Sequence, residues 1–160
     1  MSNLKIIERF YRAFSKRDAQ KMLECYHKDV VFQDPAFGTL KGERAFKMWK
    51  MLLSKKDSDL KIILKNCSVD KNKGNAEWVA QYTLTDTNRK VVNHVSAVFK
   101  FKDGKIIEHI DKFDLWKWTR QALGVKGYLL GWAPFMKKKI QQKLNQKLDK
   151  YIYKESKTDI

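Results

Sequence analysis

The sequence predicts an α+β fold, with helices on one face of a curved antiparallel sheet. Three observations carry the prediction. Apolar residues recur at helical spacing early in the chain, with Leu4, Ile7, Tyr11 and Phe14 at three- and four-residue steps. Turn-forming clusters then separate β-rich runs at 70–75, at 85–90 and at Asp103-Gly104. Helices therefore come first and hairpins after, the order of an α+β domain.

The opening helix carries Phe10 beside its apolar stripe, and Lys16 and Arg17 suit its C-terminus. Asp18 can cap a second helix, which turns Met22, Leu23 and Tyr26 inward. A short strand runs through Asp34. A third helix begins after Gly42 with Phe46, Trp49, Leu52 and Leu53 as its stripe. Four strands follow, roughly 59–69, 76–86, 91–102 and 105–115, with no internal repeat or linker.

The stretch from Val30 to Gly38 concentrates the chemistry. Val30 and Phe32 alternate into Asp34, and Pro35 stops the strand because it has no N–H for a ladder. Period-2 alternation sends Asp34 to the same side as Val30 and Phe32. A carboxylate held out of water there rises in pKa toward the range of a useful base. The competing reading is an Asp-Pro turn whose side chain caps nearby backbone N–H groups.

The last hairpin admits two registers. A two-residue Asp103-Gly104 turn sets His109 and Asp111 opposite Val98 and Ser96. A three-residue loop with a glycine bulge sets them opposite Ala97 and Val95. The second aligns Ile107, His109, Asp111 and Phe113 with Val95, Ala97, Phe99 and Phe101 on one apolar face, and is preferred. His109 and Asp111 then share the interior with Asp34. At 6–7 Å along one strand they suit contact with one ligand better than a direct hydrogen bond.

Composition narrows the function classes. A chain of 160 residues suits one domain with a sizeable core. No early apolar run marks a signal peptide, and no run reaches the ~20 residues of a spanning helix. Cys25 and Cys67 have no metal or redox spacing, which fits reduced thiols in a cytoplasm. The net charge of +16 invites a nucleic-acid reading, but only six of the 34 basic residues are arginine. No nucleic-acid motif accompanies them, so solvated lysine faces are the reading adopted. Three scattered histidines (His27, His94, His109) predict no metal site, and no glycine pattern supports a dinucleotide or other cofactor.

The string Cys25-Tyr26-His27-Lys28-Asp29-Val30-Val31-Phe32-Gln33-Asp34-Pro35, with Gly38 and Gly42, resembles the SnoaL-like group of the nuclear transport factor 2-like superfamily. Lys102-Asp103-Gly104-Lys105-Ile106 and the order of elements support the resemblance from about Leu4 to Trp116. It implies a cone-shaped α+β fold shared by ketosteroid isomerases, polyketide cyclases and non-catalytic modules. It also implies that Asp34 matches the isomerases' general base. Their two oxyanion donors fall at Phe10 and Ala97, which donate nothing, and Tyr11 is one helical step, about 100°, away. Losing one such donor costs about 3–4 kcal/mol of transition-state stabilisation, which argues against steroid isomerisation. SnoaL-type cyclases imply an acid–base role for Asp111, with His109 as its partner. A structural His-Asp pair is the competing reading.

Phe14, Phe32, Phe37, Trp49, Trp78, Tyr82, Phe113 and Trp116 can line an apolar cavity around these polar groups, or simply fill the core. The expectation is a small-molecule-binding domain over 1–116, acting as a cofactor-free isomerase, cyclase or hydrolase, or else as a binding or interaction module. A homodimer in the cytoplasm is also expected. Residues 117–160 form an extension. Its aromatic segment leads into a helix from Pro134 with Ile140, Leu144, Leu148 and Ile152 at four-residue steps amid lysines. The extension packs on its own domain or a partner subunit, or it docks on an anionic membrane.

Overall fold

The computed structural model of the protein describes residues 2–158. In chain order these form α1 (Asn3–Ser15), α2 (Ala19–Leu23), β1 (Tyr26–Asp34), β2 (Gly38–Lys41) and α3 (Glu43–Leu53). Next come β3 (Lys61–Asp70), β4 (Lys73–Leu84), β5 (Arg89–Lys102) and β6 (Lys105–Lys112). The chain closes with α4 (Leu115–Leu123), α5 (Val125–Leu130) and α6 (Pro134–Thr158). One curved sheet runs in the order β2-β1-β6-β5-β4-β3. Its pairs are antiparallel except β1 with β6, which run parallel because the whole helix-and-hairpin excursion separates them.

Local chemistry sets the helix starts. The side chains of Asp18 and Asp114 accept from the backbone N–H groups of Lys21 and Lys117 at 3.0 and 2.9 Å. Gly42 enters α3 at φ 50° and ψ −125°, a conformation that a residue with a Cβ rarely adopts. Its N–H donates to the Val30 carbonyl at 2.7 Å, tying the helix entry to β1.

Packing shifts several expected faces. In α1 the buried residues are Ile6, Ile7, Phe10, Tyr11, Ala13 and Phe14, whereas Leu4 is exposed. The inner face of α3 is Ala45, Met48 and Trp49, which leaves Leu52 outside. Tyr26 opens β1 instead of closing α2. Helix α1 lies close on the sheet at Gly74, where an added Cβ would meet the Ile7 side chain at 2.7 Å.

The last hairpin takes neither expected register. Asp103 and Gly104 both have positive φ, a two-residue turn that pairs Lys102 with Lys105. The irregularity comes further along: Phe101 faces Ile106 but Lys100 faces Glu108, so the extra residue is Ile107 on β6. Ile106 is consequently the fully buried isoleucine, not Ile107. Beyond the bulge His109 pairs with Phe99 and Asp111 with Ala97. Both therefore reach the face of Val95, Ala97 and Phe99 by a different route from the one anticipated.

The C-terminal elements close the structure. β5 extends past the last β6 partner, Ser96, and the Gln121 side chain of α4 bonds both the N–H and the carbonyl of Val92 there. Helix α6 lays Ile140 and Leu148 into the main core, with Leu144 and Ile152 packed against it. Arg44 of α3 pairs with Asp149 at 2.7 Å, and Lys47 pairs with Glu155 at 2.6 Å. Gln141 and Asn145 donate to the carbonyls of Pro35 and Phe37, so α6 covers the β1–β2 turn.

Candidate functional site

Two polar groups sit in an otherwise aromatic interior. His109 is fully buried and Asp111 nearly so, on adjacent inward positions of β6. They are joined directly, with His109 Nε2 2.9 Å from Asp111 Oδ1. The strand spacing of their Cα atoms argued against such contact, but the side chains lean together. His109 Nδ1 lies 2.7 Å from the hydroxyl of Tyr26, and that hydroxyl accepts from Trp49 Nε1 at 3.0 Å. Trp78 Nε1 donates to Asp111 at 3.4 Å.

The direction of this chain follows from its ends. An indole N–H can only donate. Trp49 thus occupies an oxygen lone pair of Tyr26, leaving the phenol proton for His109 Nδ1. A neutral imidazole then carries its own proton on Nε2 and gives it to Asp111. The donors run in sequence from Trp49 through Tyr26 and His109 to the Asp111 carboxylate, and each buried polar group of this relay has a partner. Burial raises Tyr26 well above the usual phenol range, and the neighbouring Asp111 charge adds to this.

Asp34 is a different kind of acid. It is half-buried at the end of β1, and its Oδ1 accepts from the Phe37 N–H at 2.5 Å. The capping geometry of an Asp-Pro turn is therefore present. It does not win electrostatically: desolvation raises the carboxyl to about 7, opposed by that hydrogen bond and reinforced by the charge of Asp111. Tyr82 stands nearby; its hydroxyl accepts from Trp118 Nε1 at 2.7 Å and is raised by burial and by Asp34.

The structure thus brings Asp34, Asp111, His109, Trp78 and Tyr82 into one electrostatic neighbourhood. Phe14, Phe32 and Trp49 are packed ring against ring, with Phe14–Trp49 centroids at 5.0 Å and Phe32–Trp49 at 5.3 Å. Phe37 is buried in the same core, and Phe113 is partly buried against it. Trp116 lies outside, its ring beneath the Arg120 guanidinium at 4.3 Å. A hollow of about 330 Å³ runs between α1 and β3, lined by Glu8, Tyr11, Arg12, Ser15, Ile62 and Leu64, none of which was anticipated as a site residue.

Tyr26, Trp118 and Tyr11 were not foreseen as site residues. Tyr26 lies at an even offset from Val30 and Phe32, so strand parity could have found it once β1 was extended to its true start. Tyr11 is fully enclosed, its ring tilted against Trp78 at 5.7 Å. Its hydroxyl has no partner, and burial followed by the charge of Asp111 raises its pKa.

Comparison with known proteins agrees with this architecture. The LEH-like epoxide hydrolase of M. tuberculosis superposes with a TM-score of 0.63 at 18% identity, covering 81% of this chain and 94% of that one. A protein from Catenulispora acidiphila with a ketosteroid isomerase-like fold, in complex with trimethylamine, gives 0.67 at 14% identity, covering 83% and 100%. An NTF2-like protein of unknown function from Burkholderia pseudomallei gives 0.63 at 19% identity, covering 76% and 98%. At these identities the likeness is one of fold. No curated protein matches this sequence. The profile of the SnoaL-like domain matches residues 7–109, well over half of the chain, and the protein therefore belongs to the SnoaL-like family.

Proposed function

We propose that the protein handles a small molecule by cofactor-free proton transfer, with Asp34 as the proton acceptor. The observation that carries this reading is the placement of Asp34 at the end of β1, half-buried, where desolvation pushes its carboxyl up to about 7 and the charge of the nearly buried Asp111 reinforces the shift. Such a group is part ionised near neutrality, so it can both take a proton and return it. Asp111, held by His109 and Trp78, keeps one orientation; burial is the main cause that holds Asp34 poised, and the Asp111 charge adds to it. Ring opening or proton abstraction next to a carbonyl fits this pair, and a relative named as an epoxide hydrolase is compatible with it.

A second reading, a non-catalytic module, is favoured by the ring packing around His109, where Phe99 lies 4.4 Å away between centroids. The two readings separate in one experiment. The Asp34 carboxyl carbon is followed by NMR across pH, alone and with cyclohexanone or styrene oxide present. Turnover of the same compounds is assayed in wild type and Asp34→Asn. Proton transfer expects a midpoint near 7, displaced by the compound, and turnover lost in the variant. A midpoint near 4 removes the proposal.

A further inference from the structure

The aromatic segment between α4 and α6 presents an apolar surface that the fold does not cover. Val125, Tyr128, Leu129, Leu130, Trp132 and Phe135 are all exposed, Trp132 at 68% and Val125 at 75%. Their orientation is imposed by glycine. Gly127 of α5 and Gly131, which caps its C-terminus, lie four residues apart on the side that meets α4: an added Cβ would lie 1.9 Å from the Thr119 carbonyl oxygen and 2.0 Å from the Thr119 hydroxyl, respectively. A helix normally turns its large apolar residues inward. Here the inward face carries no side chains, so tight seating of α5 holds the large residues outward. Trp132 is also fixed in place, its indole N–H donating to the Leu129 carbonyl at 3.0 Å.

Charge identifies the occupant. From Leu115 to Leu148 the sequence contains eight lysines and arginines and not one aspartate or glutamate. Lys126 lies within the patch, and Lys137, Lys138 and Lys139 begin two residues after Phe135, all exposed. Two copies meeting through this face would bring these like charges together, at a cost in free energy. An anionic bilayer is complementary to it on both counts. Tryptophan, tyrosine, phenylalanine and leucine suit the headgroup boundary, and the lysines suit anionic lipid. No helix among the described residues is long and apolar enough to cross a membrane, so the contact is peripheral.

We propose that the α5–α6 corner, Val125 to Phe135 with Lys126 and Lys137 to Lys139, docks the protein on an anionic lipid surface. This is independent of the proton-transfer reading, because the segment supplies none of the acid–base residues. The test is co-sedimentation of the full chain with vesicles of phosphatidylcholine alone, or of equal parts phosphatidylcholine and phosphatidylglycerol. The expected result is at least about tenfold stronger partitioning onto the mixed vesicles, weakened by high salt. The double variant Leu129→Glu/Trp132→Glu loses at least about tenfold of that binding, with thermal unfolding unchanged as the control for folding. Equal partitioning on both vesicles, none on either, or an unaffected double variant overturns the proposal. A concentration-dependent dimer that the same variant dissolves assigns the face to a second copy instead.

Discussion

The interior of the cone and the α4–α6 corner are both rich in aromatic side chains, and they put them to opposite uses. Inside, Phe10, Phe32, Trp49 and Phe99 surround His109 with centroids between 4.4 and 6.3 Å. At the corner, Tyr128, Trp132 and Phe135 are each more than half exposed. Residue type does not explain the difference. In the cone, strand alternation and the stripe of α1 aim the rings at one another. At the corner, Gly127 and Gly131 occupy the face that would have been the core. The direction of an aromatic residue is thus decided by what stands on the other side of its element.

Substitution can break this comparison. The largest effect is expected for Trp49→Ala, which removes contacts to Phe10, Phe14 and Phe32 and leaves the Tyr26 hydroxyl without its donor. Urea denaturation should show a loss of about 3–5 kcal/mol. Asp34→Asn comes next, and its effect depends on pH. The folded carboxyl sits at about 7 against 3.8 for the free group, so the folded state holds the proton over that window. Wild-type stability should therefore fall as pH rises from about 4 to 7 and flatten above 7. The asparagine variant lacks this slope and should be more stable above pH 7 by about 1–3 kcal/mol, a figure reduced for partial solvent contact. Parallel curves for the two proteins would show that Asp34 titrates normally. Trp132→Ala should change stability by no more than about 0.5 kcal/mol, despite deleting the largest side chain type. A loss comparable to that of Trp49→Ala would mean that the corner is a core after all.

Much of the site could be read from local pattern. Val30, Phe32 and Asp34 on one side of β1 follow from alternation, and Pro35 ends the strand as its chemistry requires. The shared face of His109 and Asp111 was also legible, although the bulge that produces it at Ile107 was not. A bulge is a compromise between two strands, and one strand's residues do not encode it. The direct contact between His109 and Asp111 escaped for a related reason: backbone spacing bounds where Cα atoms lie, not how side chains lean. Tyr26 was assigned to the wrong element because helix and strand compete over the few residues between α2 and β1.

What the sequence determined by itself is the set of periodicities and the stops between them, because these depend on residues within a few positions of each other. From them come the α+β class, the inward carboxylates and the four-residue stripe of α6. Tertiary structure alone decided that β1 runs parallel beside β6, that Tyr26 bridges Trp49 to His109, and that α6 closes over the Asp34 turn. These are contacts between residues far apart in the chain. Their geometry is set by packing and desolvation, which no local window contains.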